Sequence, residues 1–374
     1  MLDEKYMRLA IELAKKGVGA VNPNPLVGAV IVKNNKIIGQ GYHKAYGGLH
    51  AEREAFKSIT EDAEGADMYV TLEPCCHYGK QPPCVEAIVE HKIKRVYVGS
   101  DDPNVLVSGK GYDFLREHGV EVYTHILKEE CDVLNDIFFH YIIDKTPYVI
   151  LKYAMTMDGK IAAYTGESKW ISNESSRHNS QELRNRCSGI MVGIGTVLAD
   201  DPMLTCRLEN GHNPVRIICD TKLRIPVDSM IVKTACEVHT IVVVGESLKK
   251  SITDADKDDD ISNKYRKLIE KKVEVIFAEE DNNEINLKKL MSELGRQGID
   301  SIIIEGGGTL NYSAVKAGIV NEVMIYMAPM LLGGKEALTA VEGTGFSKPD
   351  MAAQFTFKEV KEIDGDLLIR YKAK

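Results

Sequence analysis

The chain has 374 residues, a net charge of −8, and 44% hydrophobic against 27% charged residues. That length favours two domains over one, and the composition is that of an ordinary globular protein rather than a disordered or fibrous one. No apolar run approaches the roughly 20 residues a membrane span needs. Divided near residue 146, the chain carries 17 basic against 22 acidic residues before the cut and 30 against 33 after it, so neither half offers the basic face that nucleic acid selects.

The opening MLDEKYMRLAIELAKKG mixes acids with bases at helical spacing, unlike the basic-then-apolar plan of a secretion signal. Eight cysteines are too sparse for a disulfide scaffold. The expectation is a cytoplasmic address, with Cys187, Cys219 and Cys236 as buried thiols.

In chain order, Tyr6, Leu9, Ala10, Leu13 and Ala14 share one face of a first helix, which Gly17 and Gly19 end. VGAVIV and KIIGQGY read as a hairpin turning at Asn34-Asn35, followed by a helix AEREAFKSI and a strand DMYVTL. After a cysteine-rich loop come a helix from about Pro83 to His91, a strand RVYVGS, a helix YDFLREHG and a strand VEVYTHI. This alternation predicts a three-layer α/β domain. Residues 129–140 read as helical, and Lys145-Thr146-Pro147 marks the boundary between domains 1–146 and 147–374. Beyond it, YVILKYAM, GIMVGIG, VRIICD, HTIVVVG, VEVIFA, SIIIEGG and EVMIYMAP alternate with helical segments such as NLKKLMSELGRQG, which predicts a second α/β domain. The aspartate-rich stretch from Ser251 to Lys264 reads as a solvated loop.

Two elements of the first half point to a metal. His50-Ala51-Glu52 opens a helix, and Glu73-Pro74-Cys75-Cys76-His77-Tyr78-Gly79-Lys80-Gln81-Pro82-Pro83-Cys84 follows a strand. A catalytic zinc takes three protein ligands and leaves one position open; one histidine and two thiolates supply that set. Glu52 then stands beside the metal as a proton shuttle, the logic by which zinc nucleobase deaminases use HxE with PCxxC. The spacing from Cys75 to Cys84 is longer than in that signature, Cys76 and His77 stay open as alternative ligands, and a closed four-ligand structural zinc is the competing reading, which Glu52 argues against.

NPNPLVGAV at 22–30, HAE at 50–52 and TLEPCCHYGKQPPC at 71–84 closely resemble the deaminase half of the bifunctional riboflavin-biosynthesis deaminase-reductases. In that family the long cysteine spacing is normal. The resemblance implies a cytidine-deaminase-like domain in which His50, Cys75 and Cys84 bind Zn2+ and Glu52 is catalytic, with Cys76 outside the ligand set. It also implies that Asn24, His77, Lys80, Asp102 and Asn104 surround a phosphoribosylated pyrimidine. The nearby Gly109-Lys110-Gly111 turn suits a phosphate dianion, although read by itself the GKG sequence favours a solvated turn.

In the second half, Gly193 and Gly195 follow one strand and Gly306, Gly307 and Gly308 follow another, each before a helix, an arrangement that brings backbone amides to a ligand's phosphates. KYAMTMDGKIA, SKWIS, VGIGTVLADDPMLTCR, EGGGTL and APMLLGG resemble the reductase half of the same family, whose fold is like dihydrofolate reductase. The resemblance covers nearly the whole chain apart from the acidic stretch. It implies that Ala154, Trp170, Thr196, Asp200, Gly306, Gly307, Gly308, Thr309 and Leu310 contact NADP(H). It places Ser168, Arg184, Leu204, Arg207 and Glu305 on the substrate, with two arginines suited to bidentate phosphate contacts. Lys152 and Asp200 are the candidates for proton handling. The expected partners are a small-molecule substrate and a second copy of the chain, not nucleic acid or membrane. The rival readings are a nucleic-acid base deaminase and a non-enzymatic zinc module; the first needs a basic groove, and the second would bind zinc and release no ammonia.

Overall fold

The computed structural model describes residues 3–79, 81–252 and 259–374. Contacts divide the chain into two compact units, Met1–Lys145 and Thr146–Lys374. The first contains α1 (Glu4–Lys15), β1 (Gly28–Lys33), β2 (Lys36–Tyr42), α2 (Ala51–Lys57), β3 (Asp67–Leu72), α3 (Cys84–Glu90), β4 (Arg95–Ser100), α4 (Lys110–Glu117), β5 (Glu121–Tyr123), α5 (Lys128–Leu134) and α6 (Asp136–Asp144). One sheet runs β2-β1-β3-β4-β5. β1 is antiparallel to β2 and β3, and β3, β4 and β5 are parallel. Asn34 and Asn35 take φ of 50° and 61°, the left-handed pair a two-residue hairpin turn needs.

Strand alternation builds the layers. Ala29, Ile31, Met68, Val70, Val96 and Val98 share one core with Ala55, Ile88 and Leu115 of the helices on that face. Val30, Val32, Tyr69 and Tyr97 pack on the other face with Met7 and Ala10 of α1 and Cys131 of α5. The stretch expected to be helical over 129–140 is helical, as the two helices α5 and α6. They break at Asn135, whose side chain accepts from the Leu26 N–H at 2.8 Å and donates to the Leu26 carbonyl at 3.0 Å. The buried face of α1 includes Met7 and Ile11, which the expected stripe omits, and leaves Leu9 only half-buried.

The second unit contains β6 (Tyr148–Thr156), α7 (Glu174–Arg186), β7 (Gly189–Gly193), α8 (Ile194–Asp200), β8 (Val215–Cys219), α9 (Met230–Lys233), β9 (Thr240–Gly245), α10 (Lys249–Ile252) and α11 (Asp260–Glu270). It continues with β10 (Glu274–Ala278), β11 (Glu280–Asp281), β12 (Glu284–Ile285), α12 (Leu287–Arg296), β13 (Ser301–Ile304), α13 (Gly308–Ala317), β14 (Glu322–Ala328), β15 (Phe355–Ile363) and β16 (Asp366–Ala373). A nine-stranded sheet runs β10-β9-β8-β7-β13-β6-β14-β16-β15. It is parallel from β10 to β14, and the last two strands are antiparallel. All six residues of β9 are buried, as a parallel strand with helices on both faces requires.

Three expectations change here. The stretch from Ser251 to Lys264 is helical at both ends, because α10 reaches Ile252 and Asp259 caps α11 by accepting the Ser262 N–H at 2.8 Å; residues 253–258 lie outside the described residues. Cys236 is exposed and Cys219 half-buried, and only Cys187 of the three is fully buried. The C-terminal hairpin of β15 and β16 has no counterpart in the sequence reading, since β15 is exposed nearly throughout and shows no one-sided alternation. Among the described residues no helix is long and apolar enough to cross a membrane.

Candidate active sites

In the first unit the central strand β3 ends at Leu72, so the cysteine loop leaves the carboxyl end of that strand, close to where α2 and α3 begin. His50 is the residue before α2, and Cys84 is the first residue of α3. Cys75 Sγ lies 3.4 Å and Cys84 Sγ 3.3 Å from His50 Nδ1. One ligand atom from each of the three falls within 4.8 Å of the others. Among the described residues this group of three is the only such cluster, so the donor set fits a zinc with an open position. Cys76 stands apart, its Sγ 3.6 Å from the Leu106 carbonyl.

Glu52 is 4% exposed. Burial pushes its carboxyl above the ordinary range, and the Cys75 charge adds to that. Cys75 is drawn down to about 4 by its hydrogen bond with Cys84, with His50 assisting against burial, while Cys84 is pushed up by the same contact. A bound dication would favour ionising both thiols.

Asn24 faces His43, Nδ2 to Nε2, at 3.1 Å, and His43 Nδ1 lies 2.9 Å from the Leu49 carbonyl. The sequence reading missed His43, since both partners are brought to it by the fold. His77 Nδ1 is buried with no hydrogen-bond partner among the described residues, a polar atom suited to a ligand. Asp102 Oδ1 accepts the Asn104 N–H at 2.8 Å, and Asn104 Oδ1 accepts the Leu106 N–H at 3.1 Å. Burial raises the Asp102 carboxyl to about 6, with Glu73 and Cys75 contributing. Lys80 lies outside the described residues. The Gly109-Lys110-Gly111 turn does not present a free phosphate cradle: the Glu73 carboxylate accepts the Gly109 and Gly111 N–H groups at 3.1 and 3.0 Å, and Lys110 Nζ donates to the Val105 carbonyl at 2.8 Å.

In the second unit the carboxyl ends of β7, β8 and β13 open on a cavity of about 740 Å³, where an open parallel sheet places its ligands. Ser168, Thr196, Asp200, Glu305, Gly306, Gly307, Gly308, Thr309 and Leu310 line it. A Cβ added at Gly195 would meet nothing within 4 Å, and one at Gly307 only Thr196 Oγ1 at 3.9 Å. The approach to the N-terminus of α13 is therefore open, which suits a dinucleotide's phosphates. Thr221 and Arg224 also line the cavity; their place just after β8 is the signal that could have found them.

Ala154, Trp170, Arg184, Leu204 and Arg207 are not among the cavity's lining residues. Arg184 grips Glu305 with two bonds of 2.9 and 3.0 Å and donates to the Thr205 carbonyl at 2.9 Å, so the fork expected to hold phosphate is already occupied. Lys152 Nζ lies 3.7 Å from Glu305 and 5.5 Å from the Tyr326 ring centre. Burial opposes ionisation of Glu305, but Lys152 and Arg184 outweigh it and hold its carboxyl down to about 2. Arg207 and Asp200 are exposed and Leu204 is buried. Trp170 is 63% exposed, with the Arg177 guanidinium 4.3 Å above its ring, so it is not a core residue.

These features define a two-unit enzyme class: a zinc-site hydrolase of the amine-removing kind joined to a dinucleotide-using oxidoreductase. Residues 1–100 match the cytidine and deoxycytidylate deaminase zinc-binding region, and residues 147–369 match the RibD C-terminal domain. A riboflavin biosynthesis protein RibD of Actinobacillus pleuropneumoniae is 50% identical over 99% of this chain and 95% of its own length. One of Bacillus amyloliquefaciens is 42% identical over 98% and 95%. The crystal structure of a diaminohydroxyphosphoribosylaminopyrimidine deaminase/5-amino-6-(5-phosphoribosylamino)uracil reductase of Thermotoga maritima superposes with a TM-score of 0.85 at 37% identity, covering 99% of this chain and 98% of that one. An Acinetobacter baumannii RibD gives 0.85 at 34% identity over the same shares. The chain belongs to the RibD family: it is a bifunctional deaminase and reductase of riboflavin biosynthesis, with zinc and NADPH as the cofactors of its two halves.

Proposed function

We propose that residues 1–146 hydrolyse the amino group of 2,5-diamino-6-(5-phosphoribosylamino)pyrimidin-4-one, and that residues 147–374 then reduce the ribose of 5-amino-6-(5-phosphoribosylamino)uracil to a ribityl chain. The observation that carries this reading is the convergence of His50, Cys75 and Cys84 beside the buried Glu52. Zinc, when bound, supplies the acidity that makes water a nucleophile at neutral pH. Glu52 takes the proton of the attacking water and returns it to the departing ammonia, a task its raised pKa suits. Asn24, His77, Lys80, Asp102 and Asn104 hold the pyrimidine and its phosphoribosyl arm.

In the second half, reduction adds a hydride to C1 of the open-chain sugar and a proton to balance it. NADPH supplies the hydride when bound. Ala154, Trp170, Thr196, Asp200 and Gly306 to Leu310 hold that cofactor, and Lys152 and Asp200 manage the proton. Ser168, Leu204, Arg207 and the Arg184–Glu305 pair position the substrate, with Arg207 as its phosphate ligand.

The protein acts on free metabolites in the cytoplasm, not on nucleic acid or membranes; the acidic balance of both halves supports this. It works as a homo-oligomer, supported by the edge strand β15, which presents Phe357 and Val360 at 55% and 54% exposure. Incubation with the diaminopyrimidine substrate should release ammonia without NADPH and oxidise NADPH only after that release. NADPH oxidation with no prior ammonia would refute the order, and no turnover of either kind would refute the assignment.

A further inference from the structure

Glu73 takes no part in the chemistry above, yet it is 3% exposed and sits at the centre of the first site's framework. Its Oε2 accepts the N–H groups of Gly109 at 3.1 Å and Asp102 at 3.5 Å, and its Oε1 accepts that of Gly111 at 3.0 Å. These amides belong to the loop and helix start that carry Asp102 and Asn104, while Glu73 itself lies two residues before Cys75. A chain of contacts leads from Glu73 through Asp102, Asn104 and Leu106 to Cys76. It leaves the cysteine loop on one side of Cys75 and rejoins it on the other. We propose that Glu73 is a positioning residue of the deaminase, fixing the segment 102–111 against the loop that presents Cys75, so that substrate-holding groups keep register with the metal site.

The chemistry of the junction requires a carboxylate. Each carboxylate oxygen only accepts, so both can face N–H groups, whereas a Gln amide would turn an NH₂ donor against one of them. The fit also requires Gly111, where a Cβ would lie 2.3 Å from the Pro74 carbonyl and 3.1 Å from Glu73 Oε1. Buried N–H groups left without acceptors would let the segment shift, and the loss would fall on substrate binding.

The inference rests on the deaminase reading of the first unit. The test uses the full chain with Glu73→Gln, Glu73→Asp and Gly111→Ala, measuring zinc content, NADPH-dependent reduction, and KM and kcat for ammonia release from the diaminopyrimidine substrate. A hydrogen bond to a charged group is worth about 1.5–3 kcal/mol, so Glu73→Gln should raise KM by roughly 10- to 150-fold. Zinc should stay at one per chain and kcat within about 3-fold. Glu73→Asp, still acceptor-only, should recover part of the KM. Gly111→Ala, which leaves the carboxylate in place, should give the same KM signature, so the inference is readable even if Glu73→Gln does not fold. KM within about 2-fold of the parent in the folded variants, or zinc and kcat lost together, would overturn it. A parent chain that releases no ammonia would overturn both this inference and the deaminase reading.

Discussion

The Arg184–Glu305 pair gives the most direct physical test of the second unit. Glu305 is 13% exposed, with Arg184 closer than Lys152. Burial alone would raise its pKa, yet the two cations hold it at about 2. Against about 4.3 for a free Glu carboxyl, and at 1.36 kcal/mol per unit, the ionised form contributes about 3 kcal/mol to the folded state. Because the folded pKa is the lower one, this contribution is complete above about pH 5 and is lost as pH falls toward 2. Arg184→Met removes both short bonds and leaves a buried carboxylate with one amine at 3.7 Å, a change of the kind that costs about 3 kcal/mol or more. For a unit of this size that is a melting point lower by about 6–12 °C at pH 7. The variant should also lose less stability than the parent between pH 5 and pH 3. Trp170, the only tryptophan, lies in this unit under Arg177 and gives a fluorescence signal for its unfolding. A melting point within about 2 °C of the parent at pH 7, or parallel pH profiles, would refute the argument.

Cys84→Ser should lose stoichiometric zinc by metal analysis; a variant still carrying one zinc per chain would show that another group completes the site. Glu52→Gln should keep zinc and reductase activity while ammonia release falls by about 10²- to 10⁴-fold, and activity within a few-fold of the parent would remove Glu52 from the chemistry. Gly307→Val should weaken NADPH binding, because its side chain would enter the space before α13. Arg207→Ala should instead weaken the ribosylamino phosphate by about 10- to 150-fold. Fluorescence titration with each ligand separates the two roles, and an exchange of the two effects would reverse them.

Local signals carried most of the fold. DMYVTL and RVYVGS are strands from first residue to last, and Asn34-Asn35 turns as its residue types demand. What stayed hidden depends on partners distant in sequence. Asn135 breaks a helix because Leu26 claims its side chain. Arg184 looks like a free phosphate ligand until Glu305 is folded against it, and Gly109 and Gly111 look like a phosphate cradle until Glu73 fills it. The start of α11 was legible and overlooked: Asp259 stands three residues before Ser262, the spacing of an N-cap bond.

The strand order of the nine-stranded sheet also sets a timetable for synthesis. β6 is the first strand of its unit to be made, yet it lies between β13 and β14, pairing Tyr148 with Ser301 and Ile150 with Ile303 and Glu322. At roughly 5–20 residues per second, that apolar strand waits about 7–30 s for its neighbours to be made. The first unit, whose strands pair with partners made soon before or after them, folds ahead of it. The nascent second unit is therefore the part of this enzyme whose apolar strand stays unpaired longest, and a ribosome pause between residues 156 and 301 lengthens the time YVILKYAM stays open to aggregation.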